Sequence, residues 1–236
     1  MKLKARLEDI WGKDYMFELP EFIKERGFNY SLNNTQKDIL ITGINPSFRN
    51  GEISGSTFYD FEAIANDNRY DRYWTSLKKI VQDENINLID KTAYLDIFYF
   101  REMNQLVLSQ KILPAPNGLS FIADQLNLTQ HIIEDIIKPK VIIVKNKESS
   151  AYWGKLIDKG IVWMGYDLEF IKETNFGSLY SIKGLVDIPG RIAPEIKESN
   201  LISSIILFTN HINQYTKKEK RPTPLFINEL LNKSNL

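Results

Sequence analysis

The 236-residue sequence contains no cysteine, which excludes disulfides, thiol catalysis and thiolate zinc sites. It has only two histidines, and this argues against a dedicated zinc site. The motifs GxxxxGK[ST] and HExxH are missing, and no GxGxxG follows a strand. No apolar run approaches the ~20 residues of a membrane helix, and the charged first residues, MKLKARLEDIWGKDY, lack the apolar core of a signal peptide. We therefore expect no metal, no cofactor, no membrane association and a cytoplasmic location.

The sequence also lacks an excess of charge of either sign. Thirty basic residues balance thirty acidic ones, whereas phosphate contacts by Lys and Arg normally supply most of the affinity for nucleic acids. A net charge of zero counts mildly against DNA binding but does not forbid a basic face. One basic run, Lys217, Lys218, Lys220 and Arg221, precedes Pro222 near the end. Its position favours a solvated junction over a phosphate-binding patch.

Continuous apolar runs indicate buried strands. Three of them predict parallel strands covered on both faces: DILITGI at 38–44, TAYLDIFYF at 92–100 and KVIIVK at 140–145. Two further candidates are DLEFI at 167–171 and GSLYSIKGLVDI at 177–188.

Helical spacing of apolar residues fills the gaps between these runs. It predicts helices at 71–81, 121–138, 199–215 (with Ser199 as its cap) and 224–233. Strands that alternate with helices are typical of an α/β fold, here a three-layer αβα sandwich around a central, mainly parallel four-stranded sheet. In such sheets ligands bind beyond the carboxyl ends of the strands.

The most unusual segment, ITGINPSFRNGEISGSTFYDF, spans 41–61 directly after the first of these strands. Gly43 permits a close backbone approach to a ligand or a positive φ. Pro46 restricts Asn45 to an extended conformation, which holds the Asn45 amide in one direction. The aromatic residues Phe58 and Tyr59 suit stacking on a flat heterocycle. The alternative is a tight turn in which Asn45 only caps backbone groups.

The GINPS sequence at 43–47 resembles the first active-site motif of the uracil-DNA glycosylase superfamily, closest to the mismatch-specific uracil/thymine branch. The likeness continues in the same order over 36–215, through three segments: NRYDRYWTSLKKIV at 68–81, YLDIFYFRE at 94–102 and KPKVIIVKNKESSAYWG at 138–154. The resemblance implies one uracil-DNA glycosylase-like domain over 1–236, with an N-terminal helical extension and a C-terminal helix. It also implies excision of a damaged or mismatched base that is flipped out of DNA.

The resemblance assigns roles to individual residues of the first motif. Asn45 would position the attacking water, and the backbone amides around Ser47 and Phe48 would face the carbonyl oxygen of the base and the departing anion. Phe48, Phe58 or Tyr59 would stack on the base. The remaining residues expected to bind the base are Gly43, Ile44 and Pro46.

The second strand motif departs from the family, because Asp96 stands where the family commonly has a base-reading asparagine. An ionised carboxylate only accepts hydrogen bonds, so Asp96 would repel O4 of uracil. It would favour a base edge that donates, such as an exocyclic amine, or a different ligand. The alternative is that Asp96 caps a loop or pairs with Arg101.

The last family motif, which enters DNA, has its nearest counterpart in VDIPGRIAPE at 186–195. Pro189 and Gly190 would form a turn, and Arg191 would enter the minor groove or contact phosphate. The alternative is a plain surface loop. His131 and His211 both fall within predicted helices, where packing or solvation is expected.

Two functions follow from this reading. The first is a monomeric DNA glycosylase that acts on double-stranded DNA with a flipped base. The second is a catalytically inactive member of the same fold that binds nucleic acid, a nucleobase or a protein partner. An unrelated α/β hydrolase or nucleotide-binding domain is a third, more remote interpretation.

Overall fold

The computed structural model describes residues 3–49, 51–67, 69, 71 and 73–233. Asn68, Tyr70 and Arg72 of the family-like segment at 68–81 lie outside the described residues. The strands are β1 Asn29–Ser31, β2 Ile39–Gly43, β3 Thr57–Tyr59, β4 Thr92–Asp96, β5 Val141–Val144, β6 Tyr166–Thr174, β7 Gly177–Leu185 and β8 Ile205–Thr209. The α-helices are α1 Leu3–Trp11, α2 Glu21–Arg26, α3 Phe61–Asn66, α4 Trp74–Val81, α5 Gly118–His131, α6 Ser150–Trp153 and α7 Pro224–Lys233.

The main sheet has six strands in the order β4-β2-β5-β8-β7-β6. The first four are parallel to one another, whereas β7 and β6 form an antiparallel hairpin at one side. The expected α/β class is therefore confirmed, but the sheet is mixed and six-stranded rather than four-stranded. The short strands β1 and β3 pair separately.

The predicted helix at 199–215 is wrong, because its centre forms β8. All five residues of β8 are buried between parallel β5 and antiparallel β7. The run Ile205, Ile206, Leu207, Phe208 is continuously apolar, and such a run matches a helical face and a doubly covered strand equally well. His211 accordingly follows a strand and does not lie within a helix.

The other predicted helices are present, the last of them at the predicted bounds and the other two with shifted bounds. The segment at 71–81 contains α4, and α7 spans 224–233. The segment at 121–138 is α5, continued by a π-helical stretch over Ile132–Ile137. That stretch ends at Lys138, which adopts a left-handed conformation with φ of 51° immediately before Pro139.

Helices cover both faces of the sheet. One face buries residues such as Leu40 and Ile142 against α1, α2 and α5, whereas the other buries Ile39 and Ile41 against α3, α4 and α7. No helix among the described residues is long and apolar enough to cross a membrane. The two layers of helices leave the carboxyl ends of β2, β4, β5 and β8 as the place where loops gather.

Candidate functional site

Three neighbouring parallel strands end at one place. The register pairs Gly43 of β2 with Asp96 of β4, and it pairs Thr42 with Val144, so Lys145 follows β5 at the level of Gly43. The chain continues from β2 to β4 on one side, and β5 lies on the other. Ligands of open α/β sheets bind at such a switch point.

Gly43 makes room for the side chains on either side of it. A Cβ atom at this position would overlap with Oδ1 of Asp96, and it would lie 2.6 Å from the Tyr94 hydroxyl and 3.0 Å from Cε of Lys145. The glycine therefore allows a carboxyl, a phenol and an ammonium group to meet across one strand end. This requirement is steric, because the φ of Gly43 is not positive.

The Asp96 carboxyl is buried at the end of β4, with 4% of the residue exposed. The Tyr94 hydroxyl donates a hydrogen bond to Oδ1 of Asp96 (2.6 Å), and the Tyr73 and Tyr94 hydroxyls form a short hydrogen bond with each other. Burial raises the pKa of Asp96 to about 6, although Lys145 and the Tyr94 hydrogen bond pull this pKa down. Asp96 thus titrates near neutral pH.

Lys145 is the cationic counterpart of Asp96. It is 4% exposed, and its Nζ lies 4.3 Å from the centre of the Tyr73 ring. Burial lowers the pKa of Lys145 to about 8, against the opposing influence of Asp96. Each of the two charges therefore offsets part of the other's desolvation.

A cavity of about 230 Å³ opens beside the Asp96 carboxyl. Aromatic side chains of Tyr59, Tyr73 and Trp74 line it together with Pro46 and Ser47 of the GINPS segment. Small-molecule pockets usually measure ~300–1,000 Å³, so this cavity suits a group of about the size of one heterocyclic ring system. A larger open groove of about 1060 Å³ runs along α3 and α4 and includes Trp74, but neither Asp96 nor Lys145 lines it.

Asn45 anchors the loop that follows β2. Its Nδ2 donates hydrogen bonds to the carbonyl oxygens of Glu102 (2.6 Å) and Pro46 (3.0 Å). These bonds fix the direction of the remaining acceptor, Oδ1. The cavity is lined by Pro46 and Ser47 and not by the half-buried Asn45 side chain, so the capping alternative describes the Asn45 amide nitrogen correctly.

The other predicted base-binding residues divide into two groups. Tyr59 and Asp96 line the cavity, and Ile44 is buried next to Gly43. Phe58 is 62% exposed and faces Tyr30, with ring centres 6.2 Å apart, and it lies outside the cavity lining.

The Phe48 ring forms cation–π contacts with two arginines. The guanidinium carbons of Arg26 and Arg101 lie 4.9 and 4.8 Å from the centre of its ring. Phe48 is not part of the cavity lining. Tyr59 is therefore the only one of the three predicted stacking residues that lines the cavity.

Arg101 holds the loop after β2, which contributes Arg49 and Glu52 to the lining of the cavity. Its guanidinium pairs with Glu52 (2.7 Å) and donates to the carbonyl oxygens of Arg26, Ile53 and Gly55. Arg101 therefore pairs with Glu52 and not with Asp96, contrary to the alternative considered for the sequence. The hydrogen bond that Asp96 accepts comes from the Tyr94 side chain and not from the backbone of a loop.

The predicted DNA-contacting turn lies at the opposite edge of the sheet. The first residue of β7, Gly177, pairs with Thr209 at the carboxyl end of β8, so the chain leaves β7 at the other edge and reaches Pro189 and Gly190 there. Both residues are exposed. Arg191 is only 8% exposed and donates a short hydrogen bond to the carbonyl of Ile196. Its guanidinium points into the protein, which speaks against the expected contact with DNA.

Two polar residues near Lys145 escaped the sequence-based prediction. Asn146 follows Lys145, and its Nδ2 lies 2.8 Å from Nδ1 of His211, which follows β8. Burial and the nearby Lys145 lower the pKa of His211. In the sequence, a pair of polar residues directly follows each of the two apolar runs. His211 was not connected with Asn146 because it lies within the helix predicted at 199–215. His131, by contrast, lies on α5 and contacts Asp135 (2.6 Å).

No family model, curated protein or solved structure matches this chain.

Proposed function

We propose that the protein is a DNA glycosylase that excises a damaged or mismatched base, which enters the cavity beside Asp96. The observation that carries the proposal is a carboxyl group with a pKa of about 6 in a base-sized cavity, at the switch point of a parallel sheet. The GINPS segment at its rim and the aromatic wall of Tyr59, Tyr73 and Trp74 fit a flat heterocycle.

In this proposal Asp96 reads the edge of the base. Above pH 6 the carboxylate is ionised and accepts hydrogen bonds only. It therefore selects a base that presents a donor, such as an exocyclic amine, and disfavours a carbonyl at the same place. Lys145 keeps the carboxylate ionised inside the protein.

The hydrolysis itself needs a water molecule and a leaving group. The fixed Oδ1 of Asn45 accepts a hydrogen bond from the water, whose oxygen forms the new bond to C1′ of the deoxyribose. The bond from C1′ to the base nitrogen breaks, its electron pair leaves with the base, and the proton of the water ends on the base. Backbone amides near Ser47 would stabilise the departing anion.

Excision assays with Asn45→Ala, Asp96→Asn and the surface control Asp158→Asn test the proposal. The substrates are labelled duplexes and single strands that carry uracil, thymine mismatches, hypoxanthine or alkylated bases, and abasic product is revealed by alkaline cleavage. We expect Asn45→Ala to reduce the rate on every substrate. Asp96→Asn should shift the preference towards uracil, because an amide can donate to O4. Excision that is unchanged in both variants would refute the assigned roles.

The second candidate is a catalytically inactive protein that binds a nucleobase, nucleic acid or protein partner. Two observations favour it: both hydrogens of the Asn45 amide are directed at backbone carbonyls, and Arg191 is turned into the protein. Saturable binding of a free base that Asp96→Asn alters, without any abasic product, would support this candidate over the enzyme.

A further inference from the structure

A second cavity lies at the same edge of the sheet as Asp96, at the boundary between β8 and β7. It measures about 220 Å³ and includes Thr209, the last residue of β8, and its partner Gly177. Three lysines, Lys147, Lys155 and Lys220, line it. They come from the loop after β5, the segment after α6 and the junction before α7. The fold therefore brings Lys220 next to two lysines from a distant part of the sequence.

The charges of these lysines are not balanced within the protein. Glu173 is the one acidic residue of the lining. Over the described residues none of the three ammonium groups forms an ion pair, whereas Lys140 pairs with Asp38 and Lys183 pairs with Glu169. Like charges in one cavity repel each other, and a bound anion would relieve this repulsion.

The cavity also has features that position an anion. The Nζ of Lys155 lies 5.2 Å from the Tyr180 ring centre and 5.3 Å from that of Phe208, so two aromatic rings hold the ammonium group in place. Asn175 and Asn210 add side-chain amides at the rim. The volume greatly exceeds the ~30 Å³ of one water molecule, which leaves room for a tetrahedral phosphate group.

We propose that this lysine cavity binds a backbone phosphate of the DNA strand whose base enters the Asp96 cavity. The proposal rests on the proposed function. Three strand spacings of ~4.8 Å separate β4 from β8, about 14 Å in all. A few nucleotides of one strand can span this distance, so the lysine cavity would hold a phosphate near the flipped base. It provides a local concentration of positive charge in a chain of zero net charge.

The test compares two triple variants that remove the same charge. The first carries Lys147→Gln, Lys155→Gln and Lys220→Gln. The matched control carries Lys91→Gln, Lys159→Gln and Lys197→Gln, at exposed lysines outside this cavity. Anisotropy of a fluorescein-labelled, lesion-free single strand gives the dissociation constant over a range of salt concentrations, and circular dichroism verifies folding. A double variant, Lys147→Gln with Lys220→Gln, leaves Lys155 on its aromatic rings and serves if the triple variant unfolds.

The association constant K falls with salt concentration, and each lost phosphate contact makes the slope of log K against log salt less steep by ~0.7 for a single strand. Because the cavity is proposed to hold one phosphate, we expect the magnitude of the slope to fall by ~0.7 in the triple variant and by no more than that in the double variant, and to stay at the wild-type value in the control. Equal slopes in all proteins would overturn the proposal. So would calorimetric binding of inorganic pyrophosphate that the lysine variant abolishes while its oligonucleotide binding stays intact, because the ligand would then be a free phosphate compound.

Salt dependence tests the lysine cavity and base excision tests the glycosylase, so the two proposals can fail independently. A reduced salt slope without excision of any base would leave the lysine cavity as a phosphate site and refute the glycosylase. Excision with an unchanged salt slope in the lysine variant would do the reverse.

Discussion

Replacing Asp96 with asparagine should make the protein more stable at neutral pH. Burial raises the pKa of this carboxyl from 3.8 to about 6, so folding disfavours its ionised form. One pKa unit corresponds to ~1.4 kcal/mol, and the ionised Asp96 therefore lowers the free energy of unfolding by about 3 kcal/mol above pH 6. Asparagine has the same shape and remains neutral, and its Oδ1 can still accept from the Tyr94 hydroxyl.

The loss of its ion partner makes the buried Lys145 more destabilising in Asp96→Asn, which opposes this gain in stability. Its pKa, about 8 next to Asp96, falls further without the carboxylate. The added destabilisation at pH 7 is limited to ~1 kcal/mol, because the ammonium group then loses its proton instead of remaining charged. The net gain is about 2 kcal/mol, which corresponds to an increase in melting temperature of about 4–8 °C for a domain of this size.

Thermal unfolding followed by circular dichroism between about pH 4 and pH 8 checks this reasoning. A raised carboxyl pKa contributes stability that is fully present below the unfolded-state value and is lost as the pH rises through the folded-state value. The wild type should therefore lose stability between pH 3.8 and about pH 6, and Asp96→Asn should lack this loss. The control Asp158→Asn changes an exposed carboxylate and should melt like the wild type. A variant that melts below the wild type at pH 7 with an unaltered pH dependence would refute the argument.

Three further predictions follow from the same site. Gly43→Ala should lower the free energy of unfolding by ~1–3 kcal/mol through overpacking, because the new methyl group overlaps with Asp96. An unchanged unfolding free energy by calorimetry would contradict this. Arg101→Met should lower it by ~2 kcal/mol through the loss of charged hydrogen bonds and expose 51–56 to proteolysis, which mass spectrometry of the fragments would locate; uncut protein would count against a role of Arg101 in holding this loop. Excision of a donor-bearing base by the wild type should increase as the pH rises through about 6, where Asp96 ionises; a flat pH–rate profile would remove Asp96 from base reading.

Much of the sheet could be predicted from short apolar runs. The runs at 38–44 and 140–145 contain β2 and β5 completely, because a short strand that is covered on both faces carries few polar residues. The run at 92–100 continues past the end of β4 at Asp96. Its last residues remain buried after the chain has left the sheet. Burial alone therefore overestimates the length of a strand whose following loop is also covered.

The candidate site was only half visible in the sequence. Gly43 is predicted from the end of an apolar strand that a distinctive Asn-Pro step follows, and Asp96 from the resemblance of 94–102 to the second strand motif of the glycosylase family. Lys145 is not predicted, since a lysine after a strand normally indicates solvent, and only the tertiary structure shows that Tyr73 covers it. The lysine cavity was hidden for the same reason. Lys220 belongs to a basic run whose sequence favours a solvated junction, and its neighbours in space come from other loops.

The glycine of the GINPS segment acquires a different meaning from this arrangement. From the sequence, Gly43 suggested a backbone that approaches a ligand. In the structure its missing side chain is the space in which Asp96, Tyr94 and Lys145 meet. The pKa of Asp96 is raised and that of Lys145 is lowered, so burial disfavours the charged form of each group. The arrangement therefore opposes folding at neutral pH. Such a cluster is expected where a chemical role, and not stability, fixes the residues. Gly43 therefore admits Asp96 to the strand end that carries the Asn-Pro step, which is where the proposed function requires a group that reads the base.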